Sequence, residues 1–484
     1  MNDIRIDLLI DNRAVSSGEY AKVRDPGRTS DVVGRVAQAD AGHVDAAVRA
    51  AARAFPSWHE TSMADRSARL VETAALLEAI ADELTPIVVA ETGMLPTEIR
   101  TEILGAAFAV RDNIEAAQGF LEPVRFEDEQ SWVSVEKRAI GVIAAFVPWN
   151  APIVLMMRKL APALLCGNTM VIKTPPTTPL GLGLLLSRVS ALFPPGVINV
   201  VHGGNAVGAA LSAHPQVRAV SFTGGGRAAT AIMKAAADTI KRIQFELGGN
   251  DPAIVLDDAD LDVVVPTLVP GTFHRSGQFC FAIKRIYVPQ ALSDAFFGKM
   301  REVVGKFRIG HPLDVATTFG PVNNAQQYEN VKGLIARARA AGSEVVELGT
   351  PVDPSQWDRG YYIRPTLIRP ARIDDEIVTC EQFGPVVPII TYRDEAEVIR
   401  LANDTEYGLG SSIWSSNPER ALSVSRQIEA GMTFINKNAQ SRLGRRHMPF
   451  GGVKQSGIGT ENSELGLAEY IEYHAINFHK TPAA

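Results

Sequence analysis

One carboxylate and one thiol stand out because each lies in a glycine-bounded stretch: Glu246 in FELGGN and Cys280 in SGQFCFAIKR, 34 residues apart. A cysteine attacks as its thiolate, and a nearby carboxylate can take the proton from that thiol or from a water that later attacks the bound intermediate. The pair points to covalent catalysis. Asn150, set between Pro148 and Pro152 in FVPWNAP, could donate a side-chain hydrogen bond to a developing oxyanion, although in isolation it reads as a turn residue. Lys173 closes MVIK and could contact a ribose or phosphate; taken alone it reads as a solvated strand-end lysine. In VRAVSFTGGGRAA the pattern Gly224-x-Gly226-x-x-Ala229 falls between a strand and a helix, where glycine lets the backbone approach a pyrophosphate. Cys166 and Cys380 are expected to be buried hydrophobes. The SGQFC loop, by contrast, is expected to expose Cys280.

Composition narrows what such groups act on. At 484 residues the chain exceeds one core and predicts two or three domains. Hydrophobic residues at 46% and charged ones at 21% describe a globular chain. A net charge of −6 gives no general attraction to nucleic acid or anionic lipid, so small soluble substrates are the expected partners. The N-terminal MNDIRIDLLIDNR lacks the apolar region of an export signal, and apolar runs such as Ala139 to Pro148 fall short of the ~20 residues that cross a bilayer. A cytoplasmic protein with no membrane partner is expected. The three cysteines are odd in number and widely spaced, and none of the nine histidines forms an HxxxH or HExxH pair, so neither a disulfide frame nor a metal site is expected.

The elements that must hold these residues follow from periodicity. Helices are predicted over Asp40 to Phe55, Ala64 to Glu83 and Pro96 to Ala117. Between Phe120 and Arg138 the alternation changes to that of a hairpin, and the C-terminal YIEYHAINF is also strand-like. Such edges either pair with another chain or remain surface strands of one monomer. From an apolar strand over Ala139 to Val147, strand and helix alternate through MVIK, VINVVHG and VRAVSF, which predicts a parallel, doubly wound sheet with ligands at the carboxyl ends of its strands. A second alternating α/β region, to about Phe434, carries Cys280.

Together these segments resemble the aldehyde dehydrogenase superfamily over nearly the whole chain. The resemblance rests on FVPWNAP, GNTMVIKTP, SFTGGG, FELGGNDPAIVLDDADLD, GQFC followed by Arg285, EQFGPV, NDTEYGLG and PFGGVKQSGIGTE. It implies a Rossmann-like dinucleotide-binding domain (1–119 and 139–246), an α/β catalytic domain (247–445), and a small β oligomerisation element with a C-terminal arm (120–138 and 446–484). It further implies NAD or NADP as coenzyme, a small-molecule aldehyde as substrate, and a homodimer or homotetramer. Cys280 would attack the aldehyde carbon, Asn150 and the Cys280 backbone N–H would hold the oxyanion, and Glu246 would activate water on the resulting thioester. Glu461 would assist proton relay. Lys173, Gly224, Gly225, Pro148, Trp149, Leu247, Glu381 and Phe383 would hold the coenzyme, Glu381 at the nicotinamide ribose and Phe383 near the ring.

Three departures from the family pattern bear on specificity. Pro176 stands where many NAD-preferring members carry a ribose-binding glutamate, which leaves the coenzyme choice open. The turn reads FTGGGRAA where FTGSTxxG is common, with Arg227 nearby as a phosphate contact or a solvated residue. Ala151 follows the asparagine where an aromatic residue is frequent, and Arg158 matches an arginine that succinate-semialdehyde dehydrogenases use for the substrate carboxylate; Arg442, Arg445 and Arg446 add charge before PFGG. An anionic semialdehyde or an aromatic aldehyde is therefore expected. The competing readings are a CoA-acylating semialdehyde dehydrogenase, a non-catalytic protein on the same fold, and a cofactor-free cysteine hydrolase, which leaves the nucleotide segments unexplained.

Overall fold

The computed structural model describes residues 4–480, with the side chains of Arg442 and Arg445 outside the description. Five parallel strands form the heart of the first sheet: Val142–Phe146, Thr169–Lys173, Ile198–Val201, Val217–Thr223 and Arg242–Glu246. Their spatial order places the first strand between the second and the fourth. The order in which strands are added to the sheet thus reverses between Val142–Phe146 and Val217–Thr223, which lie parallel, and this switch point leaves a crevice at their carboxyl ends. The FVPWN and FTGGG segments leave the sheet on either side of it. Antiparallel edges come from Leu8–Ile10 and Arg13–Val15 on one side and Gly457–Ile458 on the other.

A second, seven-stranded sheet carries the thiol segment, with Asp251–Val255 and Ile283–Pro289 paired in parallel at its centre. All residues of both strands are buried, as sheets covered on two faces require. A third sheet is small and antiparallel. In it Ser131–Ala139 lies between Val124–Glu127 and the C-terminal strand Ile471–His479.

The helix Pro96–Ala117 has the predicted bounds. The stretch Ala64 to Glu83 is instead two helices, Met63–Ala79 and Ala81–Thr92, because Ile80 leaves helical geometry at φ −101°, ψ 6°. Apolar spacing runs across so short a break and hides it. The first core strand begins at Val142 rather than Ala139: Ala139 closes the hairpin strand, and Gly141 turns the chain at φ 130°. Asn168, fully buried, ties this junction together. Its Oδ1 accepts from the Ile140 and Gly141 N–H groups at 2.8 and 2.9 Å, and its Nδ2 donates to the Ala163 and Tyr470 carbonyls.

Candidate active site

The glycine turn follows strand Val217–Thr223 and opens helix Gly226–Ala237, with Gly225 as its N-cap. A Cβ at Gly224 would lie 2.5 Å from the Phe222 ring, whereas at Gly225 or Gly226 it would meet nothing within 4 Å. The first glycine is needed for packing; the next two leave an open cradle against helix N–H groups, which fits a dinucleotide pyrophosphate. Lys173 is buried rather than solvated at its strand end. Burial lowers its ammonium to about 8, and its Nζ donates to the Thr174 carbonyl at 3.1 Å. Arg227 is exposed.

Cys280 is delivered by a tight turn. Arg275, Ser276 and Gly277 take successive left-handed conformations, with φ of 52°, 55° and 75°. A Cβ at Gly277 would stand 2.3 Å from the Gly384 carbonyl, so only glycine fits. The turn is held from both sides. Arg275 donates through Nη1 to the Asn150 carbonyl at 2.5 Å and pairs through Nη2 with Glu102 at 2.8 Å. Glu102 in turn accepts from the Ile153 N–H at 2.8 Å, at the start of helix Pro152–Leu165. The Asn150 amide donates to the Gln278 carbonyl at 3.0 Å. A side-chain amide has two N–H donors, so one orients the group and the other remains for a ligand.

Cys280 and Asn150 both line a cavity of about 520 Å³, together with Ala151, Arg158, Phe281 and Phe450. The thiol is half-buried, and desolvation pushes its pKa up to about 12; Lys284 opposes that rise, while Glu246, Asp251 and Glu381 add to it. Glu246 ends its strand, and its charge is felt at the thiol. It is 2% exposed, and neither carboxylate oxygen has a hydrogen-bond partner. Burial, then the neighbouring Glu461, raise its pKa well above the ordinary range, while Lys159 and Arg158 pull it down.

The Glu461 carboxylate pairs with the Lys159 ammonium at 2.7 Å, and both side chains are essentially inaccessible. Lys159 also donates to Ser221 Oγ at 3.1 Å and Gln244 Oε1 at 3.4 Å, and Ser221 meets the Tyr470 hydroxyl at 2.9 Å. Lys159 was missed by sequence reasoning. Its signal was a lysine inside PIVLMMRKLAPALL, an otherwise apolar helix apart from the neighbouring Arg158.

The remaining expected residues fall around the same crevice. Trp149 meets Phe383 edge to face, ring centres 5.5 Å apart, just beyond Pro148. Glu381 accepts from the Gly249 N–H at 3.1 Å, and a Cβ at Gly248 would lie 2.0 Å from its carboxylate. Leu247, 9% exposed, is hydrogen-bonded through its N–H to the Ser456 carbonyl. Arg158 has a buried Nε without a partner and stands over the Phe450 ring at 5.5 Å. Arg446 does not leave free charge at the entrance as expected: it pairs with Glu115 at 2.6 Å and Asp112 at 3.7 Å. The side chains of Arg442 and Arg445 lie outside the described residues. Cys380 is exposed rather than buried, because it follows the short helix Glu376–Thr379 at the surface. Among the described residues no helix is long and apolar enough to cross a membrane.

A sequence model of the Aldehyde dehydrogenase family matches residues 14–476. The chain belongs to the aldehyde dehydrogenase family. A Staphylococcus saprophyticus protein that carries the aldehyde dehydrogenase name is 35% identical over 473 residues, covering 95% of this chain and 96% of its own. The crystal structure of an Escherichia coli NADP-dependent enzyme superposes with a TM-score of 0.93 at 33% identity, covering 99% of this chain and all of the other. Betaine aldehyde dehydrogenase from Staphylococcus aureus, solved with NAD+, superposes at 0.94 with 29% identity, covering 99% of each chain. This aldehyde dehydrogenase is an NAD(P)-dependent oxidoreductase with the family's mixed α/β fold.

Lys159→Met leaves the Glu461 carboxylate buried without its cation, a loss expected to cost about 3–5 kcal/mol. Thermal unfolding should show a clear drop in Tm, largely restored by adding Glu461→Gln; a single mutant as stable as the wild type contradicts the pairing.

Proposed function

We propose that this aldehyde dehydrogenase oxidises its substrate through a covalent Cys280 thioester that water hydrolyses. The observation that carries the reading is the convergence of Cys280 and Asn150 on one cavity, with the Glu246 carboxylate buried, unpartnered and electrostatically felt at the thiol. The Cys280 thiolate adds to the aldehyde carbon, and the free N–H of Asn150, with the Cys280 backbone N–H, stabilises the oxyanion, a contact worth roughly 3 kcal/mol per donor. The coenzyme supplies the hydride acceptor. Gly225 and Gly226 would receive its pyrophosphate at the open cradle, Lys173 and Glu381 would hold its ribose hydroxyls, and Trp149 and Phe383 would flank the nicotinamide end. Glu246 then removes a proton from water, the hydroxide adds to the thioester carbonyl, and collapse releases the acid and the Cys280 thiolate. The neighbouring Glu461 carboxylate then takes over the proton from Glu246, while the Lys159 ammonium holds Glu461 in place.

A general base must be ionised, and burial raises Glu246 well above the usual carboxylate range, so hydrolysis should fall with falling pH at values well above those at which an ordinary carboxylate protonates. Stopped-flow NADH formation separates the two halves of the reaction. Cys280→Ala should give no NADH at all. Glu246→Gln should keep a single-turnover burst and lose steady-state turnover by about 10²-fold or more. Full steady-state activity in Glu246→Gln, or acyl-CoA product when CoA is added to the wild type, would favour the CoA-acylating alternative.

For the substrate we favour an aldehyde with an anionic tail. Arg158 lines the cavity and no carboxylate pairs with it among the described residues. A charge-assisted hydrogen bond is worth about 1.5–3 kcal/mol, so Arg158→Ala should lower kcat/KM for succinic semialdehyde roughly 10–100-fold and change a neutral aldehyde little. The aromatic wall of Phe279, Phe281 and Phe450 supports an aromatic aldehyde as the second reading. Equal losses for charged and neutral aldehydes would decide for it. Running both coenzymes in these assays also decides between NAD and NADP.

The small antiparallel sheet is the proposed contact between copies of this chain. Its outer strand Val124–Glu127 is exposed throughout and paired on one side only, and Phe126 and Phe478 are 63% and 47% exposed. Open edges of this kind invite a second strand. Light scattering should give the mass of a dimer or tetramer, reduced in Phe126→Glu; a monomeric wild type ends this reading.

A further inference from the structure

Lys284 lies four residues beyond the thiol in IKRIYVP, a strand whose seven residues are all buried. Its side chain is 3% exposed. The ammonium donates to the carbonyls of Phe279, at 3.3 Å, and Cys280, and lies 3.4 Å from Glu381 Oε1. Three protons thus have three acceptors, two on the nucleophile turn and one on the coenzyme side of the crevice. The same Glu381 oxygen accepts from Gly249 N–H at 3.1 Å, and Gly249 belongs to the loop that follows Glu246. One buried cation therefore fastens together the segments that carry the thiol, the proposed base and the proposed ribose ligand.

The surroundings make that cation count. Glu246, Asp251 and Glu381 are felt as charges at the thiol, and Asp251 is 3% exposed. Burial and these acids oppose a thiolate; the Lys284 charge favours one. The ammonium sits on the Cys280 carbonyl itself, so its charge is held at the residue that carries the thiol.

We infer that Lys284 is a positioning residue for the nucleophile, tying the Phe279 and Cys280 carbonyls to Glu381 and supplying the positive charge against which the Cys280 thiolate forms. This rests on the assignment of Cys280 as nucleophile. The role is exerted through the turn and through charge, since the ammonium's protons are engaged by protein oxygens.

The test is the pH dependence of Cys280 alkylation by iodoacetamide, in which the thiolate displaces iodide as the new C–S bond forms. Mass spectrometry of the Cys280 peptide in the full chain separates it from Cys166 and Cys380. Loss of the charge in Lys284→Met should move the alkylation midpoint up by about one pH unit, a tenfold slower reaction at neutral pH, with kcat falling alongside. Lys284→Arg, which keeps the charge, should hold the midpoint near that of the wild type. A folded Lys284→Met with an unshifted midpoint, its rate lowered evenly at every pH, would overturn the inference in favour of a purely structural lysine. Should that variant fail to fold, Glu381→Gln gives the reciprocal reading: the midpoint should fall, because an opposing charge is removed while the cation stays, and an unchanged or higher midpoint overturns the inference. Dehydrogenase activity surviving in Cys280→Ala would instead defeat the nucleophile assignment itself, whatever Lys284 does.

Discussion

A buried ammonium between buried acids organises this molecule. Lys159 and Glu461 are 2.7 Å apart and withdrawn from solvent, and their partners come from far along the chain: Ser221 and Gln244 from neighbouring strands of the first sheet, and Tyr470 from the C-terminal segment. Charges taken out of water are tolerated only when paired and hydrogen-bonded. Helix Pro152–Leu165, two core strands and the C-terminal segment must therefore meet in one arrangement. Glu246 sits beside that pair with no hydrogen bond of its own, and its proton affinity is set by burial and by the neighbouring acid.

The thiol side is governed by backbone geometry. Three successive left-handed residues swing the chain from helix Leu261–Phe273 back into the crevice, and such conformations persist only where the surroundings over-determine them. Here the surroundings are ionic. Arg275 reaches the Asn150 carbonyl and Glu102, and Glu102 caps the helix that carries Arg158 and Lys159. The Cys280 turn, the Asn150 carbonyl and the head of helix Pro152–Leu165 are thereby coupled through one buried guanidinium.

Between these two charged centres lies a cavity of mixed character. Phe279, Phe281 and Phe450 form part of its wall, and Arg158 lines it with its Nε unpartnered. Arginine at the neighbouring entrance is different: Arg446 is spent on Glu115 and Asp112. Charge counted along the sequence near PFGG thus overstates what Arg446 leaves unpaired, while Arg158 shares the cavity with polar groups such as Asn150, Lys437 and Gln440.

Much of this was legible in the residues alone. Strand–helix alternation predicted the doubly wound sheet because buried parallel strands and amphipathic helices leave distinct periodicities, and the glycine and proline punctuation located the turns that carry Asn150, Gly224 and Cys280. Local pattern could not see the break at Ile80, since apolar spacing continues across it, nor the exposure of Cys380, which depends on where a short surface helix ends. Nor could it find Lys159, Arg275 or Lys284, whose partners lie up to 302 residues away in the chain. The sequence determined which chemical groups are present and which local turns hold them. Only tertiary structure decided which charges are paired and which remain free, because burial and pairing belong to the neighbours a fold assembles, and those set the proton affinity of Glu246 and Cys280 and leave the Arg158 Nε without a partner.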